Sequence, residues 1–511
     1  MMAFATVMSR ILGLVRVVFS ANILGGGVLA SAWFYTFMIP NLFRRLLGEG
    51  ALGSALVPII SYTNDNQSKE LVRTKLTIIL AFLSAVLGIV CIGTTLLCFA
   101  LEPLFEQEYI KLILQTVPLI IPYAFFICLV GAITAVLNSF GQFFWPAMGA
   151  LILNIVLIGA YVLVCPDFKG NPTAILNTLS IAVLLAGVLQ LLLVVFLLRM
   201  TGMLPVVKDL FHGGRFMRKL VVLRELWRLM IPGLIGAGAL QISMFIDKTL
   251  ALWLGDQALP ALTYSDRIVY LPIGVFAVSF GTVALSQMSH SAAKKDYDAL
   301  GKTLLDGLKF LLVICMPITL FIISFRESII RVLFLHGEFD LLALQETSHA
   351  MFFYAMGIPA FAAIKISVSA FHARKDMKTP VKVAMLCIFI NLVLNLILMW
   401  PLKQGGLALA TVISSVINNL ILLRYLKSDL QLDYGPLLST CKYSLICSLF
   451  ASAGSYAVFN IFTSFKVPTF IRVDLLPLTV SGIVFVCFYF WLMNKLKSDE
   501  IRGVINLIRR R

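Results

Sequence analysis

Long apolar runs, each ended by a short polar connection, recur from one end of the chain to the other. A helix that crosses a bilayer needs about 20 predominantly apolar residues. That template predicts 14 spans, at approximately 3–24, 29–61, 76–100, 110–137, 143–164, 174–199, 229–254, 259–290, 303–325, 344–371, 379–400, 405–426, 438–463 and 473–494. Hydrocarbon offers no water to backbone polar groups, so such segments close their hydrogen bonds internally, and the expected fold is an all-α polytopic membrane protein. The first run is read as a retained helix rather than a secretory signal, because it contains Arg10 and Arg16 and leads straight into a second span.

Lysine and arginine collect in alternate connections. These hold Lys69, Arg73 and Lys75; Arg215, Arg218, Lys219, Arg224 and Arg228; Lys294 and Lys295; Arg374, Lys375 and Lys378; Arg424 and Lys427; and the tail Arg509, Arg510, Arg511. Cytoplasmic loops carry that excess, so both termini are expected in the cytoplasm. The intervening connections, such as LEPLFEQEY and LGDQALP, are acidic or poor in bases, with Arg326, Arg331, Lys466 and Arg472 as exceptions.

The pattern also repeats at a spacing of roughly 228 to 234 residues. Leu24-Gly25 finds Leu254-Gly255, Tyr35 and Ile39 find Tyr264 and Ile268, and Gly53-Ser54 and Ser61 find Gly281-Thr282 and Ser289. NSFGQFFWP, ending at Pro146, matches ARKDMKTP, ending at Pro380. An even number of spans separates the copies, which makes the repeats parallel, an arrangement that in transporters places a substrate cavity between two bundles. The expected organisation is an N-lobe at 1–199, an amphipathic cytoplasmic linker at 200–228, a C-lobe at 229–427, and two appended helices with a basic tail at 428–511.

Composition supports the membrane reading: 60% of residues are hydrophobic, 13% are charged, and mean hydropathy is +0.96. The formal charge of +16 is spread over short loops, so topology explains it and nucleic acid is not an expected partner. Most of the nine cysteines lie inside apolar runs without CxxC spacing, which argues against a disulfide framework or a zinc site. There is no GxxxxGK[ST] loop and no soluble domain to hold a nucleotide.

Charge inside the spans is the candidate chemistry. The bases there are Arg10, Arg16, Arg44, Arg45, Lys248, Arg267, Lys309 and Lys365, against the acids Glu49, Asp247 and Asp266. Each isolated cation at the centre of a span costs about 2.5–3.5 kcal/mol on insertion scales. Even with Lys309 and Arg10 snorkelling to an interface, the excess points to a hydrated cavity with an anionic ligand. Arginine's planar fork grips phosphate oxygens in bidentate fashion, so a diphosphate suits several of them. Arg10 and Arg16 lie about 120° apart on a helix, and Arg44 and Arg45 about 100°. One of the adjacent pair is expected to face the cavity and the other to pair with Glu49. The competing reading is structural ion pairing and snorkelling, and for Arg267 an internal network with Asp266.

SRILGLVR at 9–16, PNLFRRLLGEGALGSALVP at 40–58, YSDRIVYLPIGVFAVSFGT at 264–282 and RKDMKTPVKV at 374–383 resemble the MurJ/MviN family of the multidrug/oligosaccharidyl-lipid/polysaccharide exporter superfamily. The resemblance covers almost the whole chain. It implies flipping of lipid II, the undecaprenyl-diphosphate-linked peptidoglycan precursor, from the inner to the outer leaflet of the bacterial cytoplasmic membrane. Positions it carries over are Ser9, Arg10, Arg16, Arg44, Arg45, Glu49, Asp266, Arg267, Lys365 and Arg374. The family often has an acid early in the second span, and this chain has Ser31 there.

No cofactor is expected; the driving force is the membrane potential or Na⁺. Asp247, with Asn391 and Asn395 on one face of the eleventh span and Thr411 in the twelfth, forms a candidate Na⁺ site, with structural hydrogen bonding as the alternative. Expected partners are the lipid-linked precursor, membrane lipids and the cell-wall synthesis machinery. Two other classes would need different chemistry. A multidrug cation antiporter of the same fold calls for an acid-dominated cavity. A membrane glycosyltransferase calls for a catalytic acid constellation, and the acids in LEPLFEQEY and HGEFD do not form one.

Overall fold

A computed structural model describes residues 2–66, 69–142, 144–205, 216–464 and 474–496. Every regular element among them is helical, as the long apolar runs require. The basic tail and residues 206–215 of the linker lie outside the described residues. Residues 216–228 continue without interruption into the seventh span as one helix, Phe216–Trp253.

By length and apolarity, nine described helices qualify as spans, or ten if the bent pair Leu341–Met356 and Ile358–Ala373 is one. The fourteen expected are not all in that tally. Met2–Leu24, Val28–Phe43, which has 16 residues, and Phe216–Trp253 are not counted in it. The 53-residue helix Lys378–Leu430 is taken once although its backbone breaks at Lys403, where φ is 48°.

The chain divides into two compact units, residues 1–249 and 250–511. In the first, the buried Tyr123 packs on Gly187, where a Cβ would stand 2.8 Å from the ring. Gln190, buried in the neighbouring turn, accepts from the Tyr123 hydroxyl at 3.4 Å and donates to the Gly149 carbonyl at 2.7 Å. A polar side chain inside an apolar bundle is held in this way by saturating its bonds.

In the second unit, Tyr264 packs on Phe334 and Phe339, and the adjacent Ser265 hydroxyl donates to the Thr347 carbonyl at 2.9 Å. The two appended helices, Gly435–Ser464 and Leu475–Leu496, pack on Tyr297–Phe334 through a core of Val313, Cys447, Ala451, Phe485, Tyr489 and Met493. The Tyr489 hydroxyl ties the three helices, bonding Ser444 and the Val313 carbonyl at 2.8 Å each. Arg331 closes the other end with an ion pair to Asp474 at 3.0 Å.

Two positions that the sequence repeat pairs end their helices alike. After Ser139 and after Ala373 the chain closes its helix in the same way, with Gly141 and Lys375 at φ 76° and 63°. In each, two backbone bonds run back to the last turn: Gln142 and Asp376 donate to Leu137 and Phe371, while Gly141 and Lys375 donate to Asn138 and His372. That is the left-handed helix stop that leaves few carbonyls orphaned.

Candidate functional site

The arginine pair stands at a change of helix type. Val28–Phe43 is α-helical, Arg44–Ala51 is π-helical, and Leu52–Asn66 is α-helical again. The run RRLLGEGA contains two glycines, and Pro40 in the preceding helix removes one backbone donor. A π-helical turn is rare and is frequently found at functional sites. The second unit has one at the equivalent place, Ile273–Ala277, again beside a proline, Pro272. A third, Ala160–Val164, has no such counterpart among the described residues.

Arg44 and Arg45 have different partners. Arg44 Nε donates to Asn41 Oδ1 at 3.2 Å, and Asn41 is itself anchored by donating to the Phe37 carbonyl at 2.8 Å. Arg45 Nη1 reaches the seventh-span helix, within the first unit, at 3.5 Å from Gln241 Oε1 and 3.3 Å from Met244 Sδ. The same two helices meet again where the Tyr35 hydroxyl bonds Thr249 Oγ1 at 3.1 Å and the Tyr35 ring lies against Phe245. The expected pairing with Glu49 lies outside the described side chains.

Arg16 places its guanidinium 5.7 Å from the centre of the Phe37 ring, so the first two helices share a cation–π contact. Arg10 has its Nε buried without a hydrogen-bond partner among the described residues. Ser9 contributes through its backbone: its carbonyl accepts from Asn154 at 3.3 Å. Ser31 is fully buried.

In the second unit, Asp266 lies beside Arg267 on the helix Ala258–Pro272, but no ion pair joins them among the described residues, and Arg267 is exposed. Lys365 is also exposed, with its carbonyl accepting from Ser369 at 2.9 Å. Arg374 pairs with Asp429 at 2.8 Å and so braces a connection between helices. In that connection Asp376 accepts from the backbone N–H groups of Lys378 and Thr379 at 3.0 Å each, capping the next helix. Its pKa is lowered from 3.8, first by hydrogen bonding from Thr379.

Of the candidate cation ligands, Asn391, Asn395 and Thr411 do come together. Asn395 donates to Asn391 Oδ1 at 3.1 Å, and Asn391 donates to Thr411 Oγ1 at 3.5 Å. Two oxygens that a cation would need already accept from amides, which fits the structural alternative. Asp247 belongs to the first unit, and among the described residues no cluster of three or more His, Cys, Asp or Glu side chains could hold a metal. Sequence reasoning missed Asn41, Gln241, Met244 and Tyr35. Asn41 was detectable from its spacing three residues before Arg44; the others required the packing of distant helices.

A family model described as lipid II flippase MurJ matches residues 20–476. The chain belongs to the MurJ family. A probable lipid II flippase MurJ from Rickettsia prowazekii (strain Madrid E) is 29% identical, over 88% of this chain and 87% of the relative. A solved lipid II flippase MurJ in an inward closed conformation has a TM-score of 0.80 and 24% identity, covering 98% of this chain and 99% of that one. The MurJ fold thus extends over nearly the whole molecule. An inward-facing multidrug resistance MATE transporter shares the fold more distantly, with a TM-score of 0.66 and 15% identity over 84% of this chain and 98% of that one. MurJ membership therefore displaces the multidrug antiporter reading.

Proposed function

We infer that this protein moves lipid II, the undecaprenyl-diphosphate-linked disaccharide-peptide, from the inner to the outer leaflet of the bacterial cytoplasmic membrane during cell-wall synthesis. It is a transporter and not an enzyme. The observation that carries this reading is the family match along residues 20–476. The chemistry agrees with it: a polar head group leaves water only where protein groups replace its hydrogen bonds.

The diphosphate is assigned to Arg16, Arg44 and Arg45 of the first unit and to Arg267 and Lys365 of the second, with Arg10 beside them. Ser9, Glu49, Asp266 and Arg374 have supporting roles, Arg374 through its pairing with Asp429. Transport proceeds by alternating access between the lobes at 1–199 and 229–427, with both termini in the cytoplasm. Outward movement of negative charge is favoured by about 2.3 kcal/mol per charge per 100 mV of inside-negative potential, so the potential is the proposed driving force. A Na⁺ site at Asp247, Asn391, Asn395 and Thr411 is the second reading; the last three come together, but two of their oxygens already accept from amides. Cell-wall synthesis proteins are the proposed cellular partners.

The test is the amount of lipid II reaching the outer leaflet after depletion of this protein. Export should fall, recover with the wild-type chain, and stay low with Arg44→Ala at equal membrane abundance. Undiminished export after depletion overturns the reading.

A further inference from the structure

Away from every position assigned to the cargo, the second unit holds an open surface cavity of about 350 Å³, with Asp298, Lys302, Asp306, Gln431 and Asp433 exposed along it. It lies where the first turns of the helix Tyr297–Phe334 meet the turn Leu430–Asp433. Gly301 lets these two approach, since a Cβ there would stand 2.7 Å from the buried Leu432 side chain. Gln431, at φ 50°, ends the long helix and reverses the chain.

The walls carry both signs of charge. Asp298, Lys302, Asp306 and Lys309 line one side at helical spacing, and Asp433 lines the other. Asp306 and Lys309 are 4.0 Å apart. Asp298 and Lys302 are exposed and have no ion-pair partner among the described residues. Asp433 accepts from the Gly435 N–H with Oδ1, which leaves its other oxygen open among the described residues.

Position selects the ligand class. This rests on the orientation proposed above from the basic connections: with both termini in the cytoplasm, this end of the helix faces the cytoplasm and the cavity lies toward the head groups of the inner leaflet. Tyr297, next to Asp298, and Leu438, on the helix after Asp433, are exposed apolar surfaces suited to lipid. An anionic head group would meet three carboxylates, and a simple amine would meet two lysines. A phosphate joined to a primary ammonium satisfies both signs.

We propose that this cavity binds the head group of phosphatidylethanolamine, with the phosphate on Lys302 and Lys309 and the ammonium on Asp298 and Asp433. The primary ammonium donates hydrogen bonds to these carboxylates. The trimethylated ammonium of phosphatidylcholine cannot, so the site discriminates between the two zwitterions.

The test is native mass spectrometry of the purified full-length protein with equimolar phosphatidylethanolamine and phosphatidylcholine. The wild type should retain the former about tenfold better, the size of one charge-assisted hydrogen bond. Asp298→Asn combined with Asp433→Asn should bring the ratio close to one, and Lys302→Ala should lower retention of both lipids. Asp298→Asn alone should give an intermediate ratio and serves if the double variant does not purify. Equal retention by the wild type, or an undiminished preference in either aspartate variant, overturns the proposal. The outcome is independent of lipid II export.

Discussion

The partners of Arg44 and Arg45 set different expectations for their removal. Arg44 is steadied by Asn41 from its own helix, whereas Arg45 extends to Gln241, 196 residues away in sequence. If both cations meet the diphosphate, Arg45→Ala should reduce lipid II export by tenfold or more, the loss of one charge-assisted hydrogen bond at about 1.5–3 kcal/mol. Arg45→Lys should restore little, because the ammonium lacks the planar fork. Export assayed at matched membrane levels checks both. The cost of two cations in an apolar run was legible in the sequence. Their partners were not, because Gln241 meets Arg45 only through the packing of distant helices.

Asp376 gives a pH-dependent case. Its folded pKa lies below the ordinary value, so its stabilising contribution is complete above the unfolded value and is lost as pH falls through the lower folded value. Asp376→Ala should therefore lower stability by about 1 kcal/mol at neutral pH, the usual worth of a helix cap. The difference from wild type should vanish at pH values well below the folded pKa. Thermal melting at the two pH values measures it.

At the scale of elements, interruptions matter as much as helices. The long helix breaks at Lys403, and a Cβ on the nearby Gly406 would collide with the backbone carbonyl of Leu398. Backbone cannot swing aside as a side-chain tip can, so Gly406→Ala should destabilise by about 1–3 kcal/mol or more, read as a lower melting temperature and reduced membrane yield. Hydropathy located the apolar runs and left residues 401–404 as a connection between two of them. It could not reveal that the turn is tight enough to leave no room for a methyl group. Beside the fourteen expected spans stand nine or ten that qualify among the described helices, because composition finds apolar length but does not say where a helix bends or continues.

For the whole molecule, the sequence repeat was the most far-reaching signal. Its match of Gly141 with Lys375 falls on the same left-handed helix stop, which the chain also makes at Gly202 and Lys295. The assignment of transport energy belongs at this scale too. If the potential drives export, a potassium diffusion potential imposed on vesicles should speed movement of lipid II toward the positive side, and collapsing it should slow that movement. A rate indifferent to potential but dependent on a Na⁺ gradient would instead favour the buried amides as a coupling site.

The paired π-helical turns separate backbone from charge. RRLLGEGA at 44–51 and IGVFA at 273–277 occupy equivalent places in the two halves, yet the second contains no ionisable residue. The wide turn therefore forms without cations, and a variant of the first turn that loses both arginines should keep its backbone while losing its charge.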